Sequence, residues 1–247
     1  MIFKETKNKE LPTVIILHGG GLSCWALADI VKLLQVDYHI LTPIIDGYGE
    51  DCDNTFISIE DSSKKLAAYI ERHCDGKVYA LCGLSIGAQI VVEALTQSEN
   101  IAEFAIIESA LVLPIKGTKA LTVPAFRMSY GLIKFKWFAK LQARTLFVPE
   151  DKFEQYYSDS MRISRQSLIN TTLSNGTYML RDGISKTKVK VLLIVGEKEI
   201  NLMIKSAKLL NANIPNSELR VMHNMGHGEL SMAHPAEYVR ILKGFFA

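Results

Sequence analysis

Two spacings of apolar residues alternate along the chain. Thr13-Val14-Ile15-Ile16-Leu17 is an unbroken, largely β-branched run between Pro12 and the glycines after His18, and it predicts a central strand buried on both faces. Trp25, Leu27, Ile30, Val31 and Leu34 then recur at helical spacing, and Tyr38 to Thr42 predicts the next strand. Ser58 followed by Asp61 is a helix N-cap signal for a helix through Leu66, Ala67, Tyr69 and Ile70. Val78 to Cys82 predicts a third strand, Ala88 to Leu95 an apolar helix, and Phe104 to Ile107 a fourth strand.

From about Leu111 to Lys188 strand-like runs disappear and the pattern turns helical and amphipathic. The strand rhythm returns at Val189 to Val195, followed by a helix through Leu202, Ala207 and Leu210, a short strand at Leu219 to Met222 and a last helix from about Pro235. Continuous apolar strands alternating with helices predict an α/β fold, a mostly parallel sheet covered by helices on both faces and joined by right-handed crossovers. Residues 1–247 are expected to form one domain, with residues 111–188 inserted in it as a helical cap.

Composition narrows the function. The 247 residues hold 28 basic and 26 acidic side chains with no long block of either sign, so nucleic acid is not an expected partner. The polar, charged start Met1 to Lys9 lacks the apolar core of a secretion signal, and no run of about 18 apolar residues could span a membrane. Cys24, Cys52, Cys74 and Cys82 form no CxxC pair and are expected to be free thiols in a reducing cytoplasm, with Cys82 a small buried hydrophobe. No closely spaced set of metal ligands is present, and no cofactor is called for.

Candidate chemistry gathers at the strand ends. Gly83-Leu84-Ser85-Ile86-Gly87 is a G-x-S-x-G sequence set between a strand and a helix. The flanking glycines let the two backbones approach, so the serine hydroxyl is pushed out at the carboxyl end of the sheet. The Ile86 N–H, at the start of the helix, is free to stabilise an oxyanion. A second donor is expected from His18-Gly19-Gly20-Gly21, with Gly20 favoured. The alternatives are a serine that only caps the helix and a glycine loop that is only flexible.

A serine hydroxyl needs an imidazole to take its proton. His39 lies in a strand, His73 ends a helix, His234 precedes Pro235, and His18 belongs to the glycine loop. Of His223 and His227, which both follow the last strand, His227 is preferred because glycines flank it. For the carboxylate that orients the imidazole, Glu199 in the turn Gly196-Glu197-Lys198-Glu199 is preferred, Glu108 at the end of the fourth strand is its rival, and Glu197 suits a solvated charge.

These features together resemble the α/β-hydrolase superfamily, in its branch of small bacterial hydrolases and esterases with a helical cap. The resemblance spans nearly the whole chain and rests on Leu17-His18-Gly19-Gly20, Trp25, Asp46-Gly47-Tyr48-Gly49, the Ser85 turn, the Gly196 to Glu199 turn and Gly226-His227. It implies an acyl-enzyme on Ser85, formed and hydrolysed with His227 as base and acid in turn. The acid turn commonly ends in aspartate, whereas this chain has Glu199, one methylene longer.

A carboxylic ester of small or medium acyl size is the expected substrate. C–C or thioester hydrolysis, or a non-catalytic receptor for a small molecule, are the alternatives. Phe126 to Phe147 mixes aromatics, methionine and leucine with Lys134, Lys136, Lys140 and Arg144. Packing of this segment onto the sheet is the favoured reading, ahead of an apolar ceiling over the site or a membrane-surface helix. Tyr156, Tyr157, Arg162, Arg165 and Arg181 are candidates to contact a carboxylate or phosphate, or simply solvated.

Overall fold

The computed structural model describes all residues from Met1 to Ala247. Strands β1 (Ile2–Glu5), β2 (Thr13–Leu17), β3 (His39–Ile44), β4 (Val78–Leu84), β5 (Ala102–Glu108), β6 (Lys190–Gly196) and β7 (Ser217–Met222) form one sheet in the order β1-β3-β2-β4-β5-β6-β7. Every neighbouring pair is parallel except β1 against β3.

Period-2 side-chain alternation divides the apolar strands between two cores. Ile15, Leu17, Leu81, Ile107 and Leu193 point to one face and pack with α2 (Ile59–His73), α3 (Ile86–Gln97) and the end of α8 (Asn201–Asn213). Val14, Ile16, Cys82, Ile106 and Leu192 point to the other and pack with α1 (Ala28–Leu34) and α10 (Pro235–Phe246). Both faces being covered, the strands carry no polar alternation, which is why they read as continuous runs. Ser58 caps α2 by accepting the Asp61 backbone N–H at 3.1 Å.

Between β5 and β6 lie α4 (Thr118–Ser129), a 3-10 turn over Tyr130–Lys134, α5 (Lys136–Thr145), α6 (Phe153–Arg162) and α7 (Arg165–Thr177). Two elements escape the sequence pattern. The strand β1 lies where the charged start of the chain gave no strand signal; it is an edge strand whose Phe3 ring stacks on Tyr69. The helix α9 (Glu229–Ala233) is too short to show a period. No helix is long and apolar enough to cross a membrane.

The sheet reverses its order of growth at β2: β3 lies on one side and β4 on the other. In open α/β sheets such a reversal leaves a crevice outside the carboxyl ends of the strands. Leu17 of β2 is level with Gly83 of β4, so the loops that follow these strands leave the sheet side by side.

Candidate active site

Ser85 occupies the turn from β4 to α3 with φ 55° and ψ −115°, a left-handed conformation that costs a non-glycine residue about 1–3 kcal/mol. Two hydrogen bonds hold it: the Ser85 N–H donates to the Glu108 carbonyl at 2.9 Å, and the Gln89 N–H donates to the Ser85 carbonyl at 3.0 Å. The flanking glycines are sterically required. A Cβ on Gly83 would sit 2.5 Å from the Gly87 backbone, and one on Gly87 would sit 2.6 Å from the His18 carbonyl.

The serine hydroxyl meets His227 at 2.9 Å from Nε2, and the other ring nitrogen, Nδ1, lies 2.7 Å from Glu199 Oε2. A carboxylate can only accept, so Nδ1 carries the proton and Nε2 faces the hydroxyl as an acceptor. Glu199 Oε1 accepts two further bonds, from the Ser109 hydroxyl at 2.7 Å and the Gly196 N–H at 2.8 Å. Burial alone would push the Glu199 carboxyl up. The hydrogen bond and charge of His227, with the Gly196 and Ser109 donors, outweigh that and hold it below the ordinary carboxylate range. No sequence pattern points to Ser109; its place next to Glu108 at the end of β5, with φ 58°, is the only local mark it carries.

Glu108 lies near this chain of bonds but makes different contacts. Its Oε1 accepts the Ser231 N–H at 3.3 Å, its Oε2 has no partner, and burial raises its pKa to about 7. It therefore anchors α9, which follows the His227 loop. Glu197 and His223 pair with each other at 2.8 Å on the surface, away from Ser85.

The glycine loop after β2 is fixed from below by His18. Its Nδ1–H donates to the Gly19 carbonyl at 2.8 Å and its Nε2 accepts the Ile45 N–H at 3.1 Å, which requires a neutral ring. Burial supplies that by lowering its pKa to about 4. Gly20 stands beside the elbow: a Cβ there would be 3.7 Å from the Ile86 side chain. The Ile86 N–H opens α3 and so has no carbonyl one turn back to bond. The Tyr48 hydroxyl, which would lie 3.7 Å from a Cβ on Gly20, donates to Thr171 Oγ1 at 2.8 Å.

One cavity opens at Ser85 and a second at the glycine loop. The smaller, about 280 Å³, is bounded by Ser85, His227, Glu199, Gln89, Leu111 and Met203 among others. The larger, about 440 Å³, begins at Gly20 and Gly21 and runs under Phe126, Ile133, Phe138, Leu146 and Tyr156. No lysine or arginine borders either one. Of the cationic candidates in this region, Arg181 instead reaches Glu60 at 3.0 Å and Glu93 at 3.3 Å, while Arg162 and Arg165 are exposed. Tyr156 lines the larger cavity, whereas Tyr157 spends its hydroxyl on the Lys134 carbonyl at 2.6 Å.

The expectation that the apolar side chains of Phe126 to Phe147 simply pack inward needs correction. Phe126, Ile133 and Phe138 border the cavity, but Met128, Phe135, Trp137 and Leu141 are exposed. The period of α5 explains the split: Ala139 and Ala143 turn inward at a spacing of four, and Trp137 and Leu141 turn outward at the same spacing.

The cysteines are all free, and burial pushes the Cys82 thiol far up, as suits a residue that only fills space.

Known proteins bear out the architecture. A solved α/β hydrolase family protein from Desulfitobacterium hafniense superposes with a TM-score of 0.79 at 20% identity over the whole of both chains. An esterase from Exiguobacterium antarcticum matches with a TM-score of 0.79 at 18% identity, covering 99% of this chain and 94% of that one. In sequence, the chain is 22% identical to the uncharacterized hydrolase YugF of Bacillus subtilis across 96% of its own length and 93% of that protein's. The profile of the Alpha/beta hydrolase family matches residues 14–241, and the chain belongs to that family.

Proposed function

We propose that the protein is a serine hydrolase of uncharged carboxylic esters, with Ser85 as nucleophile, His227 as general base and Glu199 as the acid that orients it. The observation that carries this reading is the continuous line of hydrogen bonds from Ser85 Oγ through His227 to Glu199, at 2.9 and 2.7 Å. In the first half-reaction His227 Nε2 takes the Ser85 proton as Oγ bonds to the ester carbonyl carbon. The resulting oxyanion is met by the N–H groups of Ile86 and Gly20. As it collapses, the C–O bond to the alcohol breaks and His227 returns the proton to the departing alkoxide. Water then repeats the sequence on the acyl-enzyme, giving the acid and restoring Ser85.

The proton must reach the leaving oxygen from His227, so the alcohol belongs in the smaller cavity, which His227 borders. The acyl chain is then directed past Gly20 into the larger chamber, with residues 111–188 acting as its cap. With no cation in either wall, a carboxylate or phosphate on the substrate would be buried unpaired at a cost of several kcal/mol, which favours neutral esters.

Labelling with a fluorophosphonate followed by peptide mapping tests the reading. A single adduct on Ser85, absent in His227→Ala, together with turnover of neutral medium-chain esters, is the expected result. No adduct on a folded protein would overturn it.

A further inference from the structure

Between Glu108 and Glu150 the chain contains no acidic residue, yet seven of its 28 lysines and arginines lie there. The remaining 21 face all 26 acids elsewhere, so a chain of nearly balanced charge concentrates its positive excess in one segment. All seven are exposed, and only Lys136 has a carboxylate partner, Glu154 at 2.9 Å. Among them stand large apolar side chains turned to solvent: Met128 is 89% exposed and Trp137 62%, with Leu121, Phe135 and Leu141 also more than half exposed.

Glu150 and Glu154 of the neighbouring elements share a groove with Lys140 and Arg144 at one edge, so the cations outnumber the acids there without excluding them. Single exposed apolar residues are ordinary, but five large ones set among seven cations are more than a solvated face needs. A polyanion such as RNA would use the cations and leave Leu121 and Met128 without purpose. A bilayer uses both, the headgroups pairing with lysine and arginine while apolar side chains enter the headgroup boundary.

We infer that α4, the 3-10 turn after it and α5 form a docking surface for membranes rich in anionic phospholipid. The inner sides of the same elements, at Phe126, Ile133 and Phe138, border the larger chamber, so adsorption holds that chamber's roof against the lipid. Adsorption itself requires no chemistry at Ser85.

The test is co-sedimentation of the full chain, carrying Ser85→Ala, with vesicles of phosphatidylcholine alone and with vesicles containing about one-third phosphatidylglycerol. Partitioning onto the anionic vesicles is expected to exceed that onto neutral ones by at least about tenfold and to collapse in about 0.5 M salt. Reversing Lys134, Lys140 and Arg144 together to glutamate is expected to weaken it by about 100-fold or more. In the Ser85-containing protein the same triple variant keeps its turnover of a soluble short-chain ester, which shows that it is folded.

Tryptophan emission supplies a readout free of substitutions in the basic set. It is expected to shift to the blue on anionic vesicles, and Trp137→Ser is expected to abolish the shift. Equal binding to neutral vesicles, no binding to either, or a triple variant that binds like its parent would overturn the inference. So would a protein that leaves anionic vesicles for polyuridylate.

Discussion

Along β2, β4, β5 and β6 nearly every side chain is buried, whereas along α4 and α5 residues as large as Met128 and Trp137 stand in solvent. The two regions meet at Ser85 and are governed by different constraints. At the strand ends residue identity follows from backbone geometry: Gly83 and Gly87 are glycines because any Cβ would strike main-chain atoms. In the helices between β5 and β6 it follows from what the outside and the inside of a thin layer must each touch. Substitutions should therefore be severe and local in the first region, and mild in the second unless the ligand or a surface is present.

The widest gap is expected in catalysis. Ser85→Ala or His227→Ala should lower ester turnover by on the order of 10⁴-fold or more, measured by steady-state kinetics at unchanged melting temperature. Glu199→Gln follows, with a loss of roughly 10³–10⁴-fold in kcat because the amide no longer enforces the Nδ1–H tautomer. If Glu108→Gln proved as damaging and Glu199→Gln harmless, the orienting acid would be reassigned.

Gly87→Ala should cost about 2–3 kcal/mol in urea unfolding, since the new methyl meets the His18 carbonyl. Glu108 offers a smaller, pH-dependent contrast. With its pKa raised to about 7, the folded protein keeps a proton between pH 4.5 and 7 that the unfolded chain releases, so this group makes stability fall as pH rises through that window. Glu108→Gln should remove that slope, seen as a gain over wild type that is larger at pH 8 than at pH 5. Smallest of all, Met128→Ser should change unfolding by less than about 0.5 kcal/mol in the absence of lipid. A loss of more than about 2 kcal/mol would mean that the outer face of α4 is packed after all.

The same contrast explains what could be read from the sequence. Buried parallel strands advertise themselves as apolar runs, and the elbow as two glycines at fixed spacing, so the α/β architecture and the grouping of Ser85 with His227 were legible. The preference for Glu199 over Glu108 was legible only in part, because both lie at the carboxyl ends of adjacent strands and only side-chain direction separates them: one meets His227, the other Ser231. Ser109 was invisible for the same reason. So was the division of the Phe126 to Phe147 segment into a cavity side and an exposed side, because the break at Phe135 resets the helical phase between α4 and α5.

His18 carries a consequence for the acid limit of the protein. Between about pH 6.5 and 4 the unfolded chain takes up a proton that the buried, neutral imidazole refuses, so stability drains away as pH falls through that window. Once the ring is finally protonated, its Nε2 becomes a second donor facing the Ile45 N–H and that bond is lost, while Nδ1–H still holds the Gly19 carbonyl. Part of the fold's sensitivity to acid is thus written into a side chain that borders neither cavity, acting as a fuse for the contact between the glycine loop and the chain at Ile45.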